Sequence, residues 1–114
     1  MTKPLSSSSQ LQLTIKEEFV LLALSKLPES YGTELMINIS KHTSENVDID
    51  CGTMYPILER LTRKSLIKFV RDGNDIEGER NGRKRKYYSI TPLGIEVLER
   101  VQCCRDGILK GEFS

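Results

Sequence analysis

The sequence predicts a mainly α-helical fold with one small β-hairpin, an α+β domain, and three observations carry that expectation. Apolar residues recur at intervals of three and four over three successive stretches before Leu66. From Ile67 the period drops to two, and a run of strand formers, Lys86-Tyr87-Tyr88-Ser89-Ile90, follows a polar segment. Helical spacing then resumes after Thr91-Pro92.

The opening residues 1–13 are polar and rich in serine, which predicts a flexible arm. Thr14 and Glu17 have the spacing of a capping box, and Ile15, Phe19, Leu22, Ala23 and Leu27 then define an apolar stripe that ends at Pro28. Ser30 is positioned to cap a second helix with Leu35, Met36 and Ile39 on its buried side, running to about Lys41. Residues 42–47 read as a loop. Asp50 can cap a third helix that buries Met54, Ile57, Leu58 and Leu61 and turns Pro56, Arg60 and Arg63 the other way. Pro56 either interrupts that helix at a cost of about 3 kcal/mol or marks a later helix start.

Beyond Leu66, alternation puts Ile67, Phe69 and Arg71 on one side of a strand and Lys68 and Val70 on the other. Asp72-Gly73-Asn74 and Asn81-Gly82 have the chemistry of turns, so the two strands should pair across a long polar tip. Thr91 caps the last helix, which runs from Pro92 to about Lys110. Leu93, Val97, Val101, Cys104 and Ile108 form its apolar stripe, with Leu98 and Leu109 alongside. The order helix, helix, helix, hairpin, helix is that of a winged helix-turn-helix followed by one further helix. The expected divisions are an arm at 1–13, a winged domain at 14–90 and a C-terminal dimerisation helix at 91–114. Either a second chain covers that last stripe, making the protein a homodimer, or the helix folds back on its own domain.

At 114 residues the chain can bury a core without staples. Its three cysteines, Cys51, Cys103 and Cys104, form no CxxC pair, which argues against a disulfide framework or a zinc site, and no cofactor is expected. On the last helix, one of Cys103 and Cys104 should pack and the other face the seam. With no membrane-length apolar run and no apolar leader, the chain reads as soluble and cytoplasmic. His42 is the single histidine and lies in a loop, so no catalytic triad can be assembled and an enzyme is not expected.

The net charge of +1 conceals a segregation. Between Arg60 and Tyr88, ten basic side chains stand against four acidic ones, a balance of +6, while the rest of the chain carries −5. A basic middle on an acidic body suits a polyanion. In a helix-turn-helix the second helix of the motif enters the major groove of double-stranded DNA. The candidate DNA-side residues are therefore Thr53, Tyr55, Pro56, Arg60 and Arg63 on that helix. Arg83, Lys84, Arg85 and Lys86 join them at the base of the wing.

Three ordered stretches carry a resemblance: Tyr31-Gly32-Thr33-Glu34-Leu35, then residues 52–61 with Gly52-Thr53-Met54-Tyr55-Pro56, then residues 82–94 with Arg85-Lys86-Tyr87-Tyr88 leading into Thr91-Pro92-Leu93-Gly94. The chain resembles the PadR family of regulators over most of its length. That resemblance implies a homodimeric winged-helix repressor whose last helix is the dimerisation element, and which in some members leaves DNA when a small apolar effector binds near the interface. It supports Thr53, Tyr55, Pro56 and the limb from Arg83 to Lys86 as DNA-side residues. The sequence departs from the family pattern at Asp50-Cys51, where Ser-Pro is usual, and at Ser65, where a glycine usually ends the helix. The long tip also carries Asp75, Glu77 and Glu79, which phosphate would repel. The near-zero net charge and that tip leave a second reading open, a winged-helix protein–protein interaction module that binds DNA weakly.

Overall fold

A computed structural model describes residues 12–75 and 84–111. The elements follow the expected order: α1 (Ile15–Ser25), α2 (Gly32–His42), α3 (Cys51–Arg63), β1 (Ile67–Asp75), β2 (Lys84–Ile90) and α4 (Pro92–Leu109). The arm at residues 1–11 and the Asn81-Gly82 turn lie outside the described residues.

Helix α1 starts where the sequence says it should, with the Thr14 hydroxyl accepting from the Glu17 N–H and the Glu17 carboxylate accepting from the Thr14 N–H. Its buried face, however, is not the expected stripe. Glu17, Val20, Leu21 and Leu24 point inward, Ile15 is exposed, and Phe19, Leu22 and Ala23 are only partly covered. Residues 17, 20, 21 and 24 form a regular helical face. Two adjacent acids, Glu17 and Glu18, hide that face from any reading based on hydropathy, and both are buried because arginines reach them.

Ser30 does not cap α2; Tyr31 stands at the cap position and forms no side-chain cap bond. Ser30 is instead fully buried, exchanging backbone hydrogen bonds with Tyr88 on β2 and donating its hydroxyl to Glu34. This single bridge ties the start of the helix-turn-helix to the wing. Leu35 and Ile39 of α2 meet Met54, Ile57, Leu58 and Leu61 of α3 in one core with Val20, Leu21 and Leu24.

The C-terminus of α3 closes with the paired bonds of a Schellman motif, from the Leu66 N–H to the Leu61 carbonyl and from the Ser65 N–H to the Thr62 carbonyl. That motif needs a left-handed residue after the cap, and Ser65 adopts it at φ 65°. Leu66 and Ile67 then plug the core as β1 begins.

The wing differs from simple alternation in two places. A bulge at Val70 leaves Phe69 opposite Tyr88 but Arg71 opposite Tyr87, so Arg71 moves to the face opposite Phe69. Asp72-Gly73-Asn74 is strand rather than turn. Gly73 is covered by the ring of Tyr87, which would lie 2.6 Å from any Cβ there, so the glycine serves close packing and not chain reversal.

Thr91 caps α4 by accepting from the Gly94 N–H, and it donates its hydroxyl to the Ser65 carbonyl. The first half of α4 folds back on its own domain. Val97 and Leu98 belong to the core and Leu93 and Val101 pack against it. From Gln102 to Gly111 every residue is exposed, including Cys103, Cys104, Ile108 and Leu109. The expected split between a packed and an exposed cysteine is therefore not found within one chain; both thiols, and Cys51, are exposed. Among the described residues no helix is long and apolar enough to cross a membrane.

Candidate nucleic-acid interface

Helix α3 presents Cys51, Gly52, Tyr55 and Pro56 of its first two turns to solvent. The Asp50 carboxylate accepts from the Thr53 N–H at 2.9 Å, and that bond holds its pKa below the ordinary carboxylate range. The charge suits a helix N-terminus. It also places an anion beside the residues expected to meet DNA, where the family pattern has serine.

Pro56 lies inside α3, five residues after its start, which excludes the later-start alternative. Its missing N–H would have served the carbonyl of Gly52, which is exposed and can be hydrated instead. The adjacent Tyr55 ring lies over Gly32 at the start of α2, where an added Cβ would come within 3.3 Å of Tyr55 Cε1. The two helices of the motif are thereby set against each other while Tyr55 stays half exposed.

Between α3 and the wing lies an open groove of about 790 Å³. Tyr55, Pro56, Glu59 and Arg63 form the helix wall; Phe69, Asp72, Lys86 and Tyr88 form the strand wall. Of the sequence-predicted residues, Tyr55, Pro56, Arg63 and Lys86 thus converge on one surface. Burial raises the pKa of the Tyr88 hydroxyl above its ordinary range, and Tyr55 and Glu59 add to the effect, so it stands in the groove as a neutral hydrogen-bonding group. The groove is of mixed charge: Arg63 lies 3.8 Å from Glu59, and Lys86 is in register with Asp72.

Other predicted residues are placed elsewhere. Thr53 is half-buried and does not line the groove. Arg60 turns to α1, its Nε 2.7 Å from Glu17 Oε2, so its guanidinium is committed to fastening α3 rather than facing the groove. Burial alone would raise the pKa of Glu17, but the Arg60 and Thr14 hydrogen bonds and the charges of Lys64 and Arg60 hold it below the ordinary value. Arg85 points to the side of β2 opposite Lys86, stacked over Tyr31 at 4.2 Å, with its Nε buried and without a hydrogen-bond partner among the described residues. Arg71 lies over Tyr87 at 4.1 Å and meets Glu29 at 2.5 Å, and the two tyrosine rings meet edge to face at 5.3 Å. This ladder of cations and rings, drawn together by the attraction of a cation to an aromatic face, holds the wing against the start of α2. Arg83 and the side chain of Lys84 lie outside the described residues.

For the expected dimer stripe the division is equally plain. Val97 has no exposed surface and Leu98 is 9% exposed, so neither is available to a partner, whereas Cys104 and Ile108 are open. Reading the sequence alone missed Phe69 and Tyr88 as groove residues and Tyr31 as the seat of Arg85. The Tyr31-Gly32 pair was a usable signal; no local pattern marks the acidic partners, because Glu17 and Glu18 pair across 43 and 87 residues.

Residues 20–100 match the transcriptional regulator PadR-like family. An uncharacterized protein of Lysinibacillus sphaericus is 36% identical over 83 residues, covering 72% of this chain and 71% of that one. A transcriptional regulator from Clostridium thermocellum superposes with a TM-score of 0.62 at 32% identity, over 82% of this chain and 83% of the other. Bacillus subtilis PadR, solved in complex with operator DNA, superposes with a TM-score of 0.63 at 23% identity over 76% of this chain, which spans 46% of that protein.

Proposed function

Because the chain belongs to the PadR-like family of transcriptional regulators, we propose that it binds duplex DNA as a homodimer and represses transcription from a near-palindromic operator. The observation that carries this reading is the convergence of Tyr55, Pro56 and Arg63 of α3 with Lys86 of the wing on one exposed groove. A helix beside a hairpin is the geometry that reads a major groove while the hairpin follows the backbone. The fold shared with operator-bound Bacillus subtilis PadR supports it.

The dimer rests on the exposed end of α4. Eight solvated residues at the end of a helix, 102–109, gain little from propensity alone, and Ile108 and Leu109 give that end an apolar side. Pairing through a two-fold axis would cover it and set two copies of α3 about one helical turn of DNA apart. For a small apolar effector, the groove of about 410 Å³ between α1 and α2, with Phe19, Leu22, Leu27 and Ile39 in its walls, offers an apolar lining.

A protein partner is the second reading, favoured by the mixed charge of the groove and by the exposed Phe69 and Val70. Selection of DNA from a random library by the purified protein, followed by titration of the selected duplex at several salt concentrations, tests the first. Phosphate-driven binding gives a log–log slope of about −0.9 per contact. Failure to enrich any sequence, or a flat salt response, would leave the protein-partner reading standing.

A further inference from the structure

Glu17 and Glu18 are consecutive, buried and paired to different helices. Glu17 meets Arg60 in the last turn of α3; Glu18 meets Arg105 in the otherwise exposed end of α4. The arginine ends remain partly open to solvent, with 42% of the Arg60 side chain and 51% of the Arg105 side chain accessible, while the carboxylates are enclosed. Adjacent residues on a helix point about 100° apart, so one turn of α1 holds the DNA-side helix with one residue and the C-terminal helix with the next. We propose that Glu17-Glu18 is a positioning joint that fixes the orientation of α3 relative to the end of α4, and through it the operator half-site spacing the protein accepts. The last clause rests on the dimeric DNA-binding reading; the joint itself does not.

A stabilising role alone does not account for the pair. Buried ion pairs contribute little more than apolar residues of the same volume, because desolvation offsets most of the attraction. Hydrogen-bonded carboxylates supply direction, which an apolar contact lacks. Arg105 is also placed where direction matters: around it, over residues 102–109, α4 is exposed, and Glu18 is its hydrogen-bonded partner on the domain. Without it, the end of α4 is guided only by the helix backbone from Val101 onward.

The test measures the joint first within one chain. Nitroxides at Cys51, at the start of α3, and at an introduced Lys110→Cys, with Cys103 and Cys104 changed to Ser, report the α3–α4 distance in labelled chains diluted into an excess of unlabelled protein. The expected result is one narrow distance distribution for this background, broadened about twofold by Glu18→Gln or Arg105→Ala and restored in part by Arg105→Lys. Arg105→Ala removes a half-exposed side chain and so keeps the measurement available if Glu18→Gln unfolds. An unchanged distribution in folded Arg105→Ala protein overturns the joint. On DNA carrying two selected half-sites at varied separation, the same variants should lose about tenfold of the preference for the best spacing while affinity for one half-site stays within about twofold. A spacing preference as sharp as that of the parent overturns the link to the operator. A parent protein that binds no DNA refutes the functional reading, while the spin-label distances still decide the joint.

Discussion

Gly94 sits directly against the carbonyl oxygen of Leu66: a Cβ built on Gly94 would lie 2.2 Å from that oxygen and 2.7 Å from Ile90 Cγ1. The contact brings the first turn of α4 onto the turn that ends α3, where the Thr91 N–H and hydroxyl bond to Leu66 and Ser65. Backbone cannot yield as a flexible side chain can. Gly94→Ala is therefore expected to destabilise the fold by about 3 kcal/mol, at the upper end of overpacking costs, measured as a fall in the denaturant midpoint. A midpoint unchanged within error would mean that α4 can move off the turn.

Ser65 supplies the opposite case, because it holds a left-handed backbone at φ 65° without being glycine. Ser65→Gly relieves that conformation and should stabilise by about 1 kcal/mol, less what glycine adds to the entropy of the unfolded chain. At about 2.1 cal/mol/K of unfolding entropy per residue, that gain corresponds in a chain of 114 residues to a rise in Tm of at most about 4 °C. Calorimetry of the two proteins side by side checks it, and a lower Tm for the glycine variant would show that the serine hydroxyl matters more than the backbone.

Helix order, the Thr14, Asp50 and Thr91 caps and the core face of α3 were legible in the sequence because each depends on neighbours within a turn or two. What was not legible depends on distant partners. Glu17 and Glu18 look like surface residues until arginines from α3 and α4 arrive, and their acidity concealed the buried stripe of α1. The bulge at Val70 reversed Arg71, and strand alternation contains no sign of a bulge. At the site, Tyr55, Pro56, Arg63 and Lys86 could be read because groove and wing follow from fold order. Arg60 and Arg85 could not, since a basic residue gives no hint of whether a carboxylate, a ring or a phosphate will claim it.

The depressed pKa of Glu17 sets a pH limit. Its carboxyl has a lower pKa folded than its ordinary value of 4.5, so its stabilisation is fully present above about that pH and is lost as pH falls through the folded value. Unfolding midpoints measured from pH 6 downward, a window of about two units on either side of the ordinary range, should decline for the native protein and less steeply for Glu17→Gln. Parallel curves for the two proteins would remove Glu17 from the acid response.

On DNA, the opposite facing of Lys86 and Arg85 gives a sharp contrast. Lys86 lines the groove, so Lys86→Ala should flatten the salt slope by about one unit for one lost phosphate contact. Arg85→Ala, which removes the stack on Tyr31, should lower thermal stability instead and leave the slope closer to that of the native protein. Mobility shifts at several salt concentrations separate the two, and the reverse pattern would place the Arg85 face against DNA. Tyr55→Phe should alter the sequence selected from a library more than it alters affinity for random DNA, because a hydroxyl at the mouth of α3 can bond a base edge.

The dimer prediction follows from the division of α4. Val97 is fully buried in its own domain, so a glutamate there would place a charge in the core and unfold the chain, which says nothing about association. Ile108 and Leu109 are 63% and 81% exposed and make no core contact, so changing both to Glu leaves the fold intact. If two chains meet through this end of the helix, the double substitution sets like charges across the two-fold axis and removes the apolar area that drives association, at roughly 25 cal/mol per Å². Light scattering at micromolar concentration should then give a dimer for the native protein and a folded monomer for Ile108→Glu with Leu109→Glu. The monomer should hold a two-half-site operator about as weakly as a single half-site, because each additional tethered contact acts through effective concentration. A native monomer would overturn the dimer; a double variant that stays dimeric would move the contact to another surface, and the first alternative to probe is the half-covered outer side of α1 at Phe19 and Leu22.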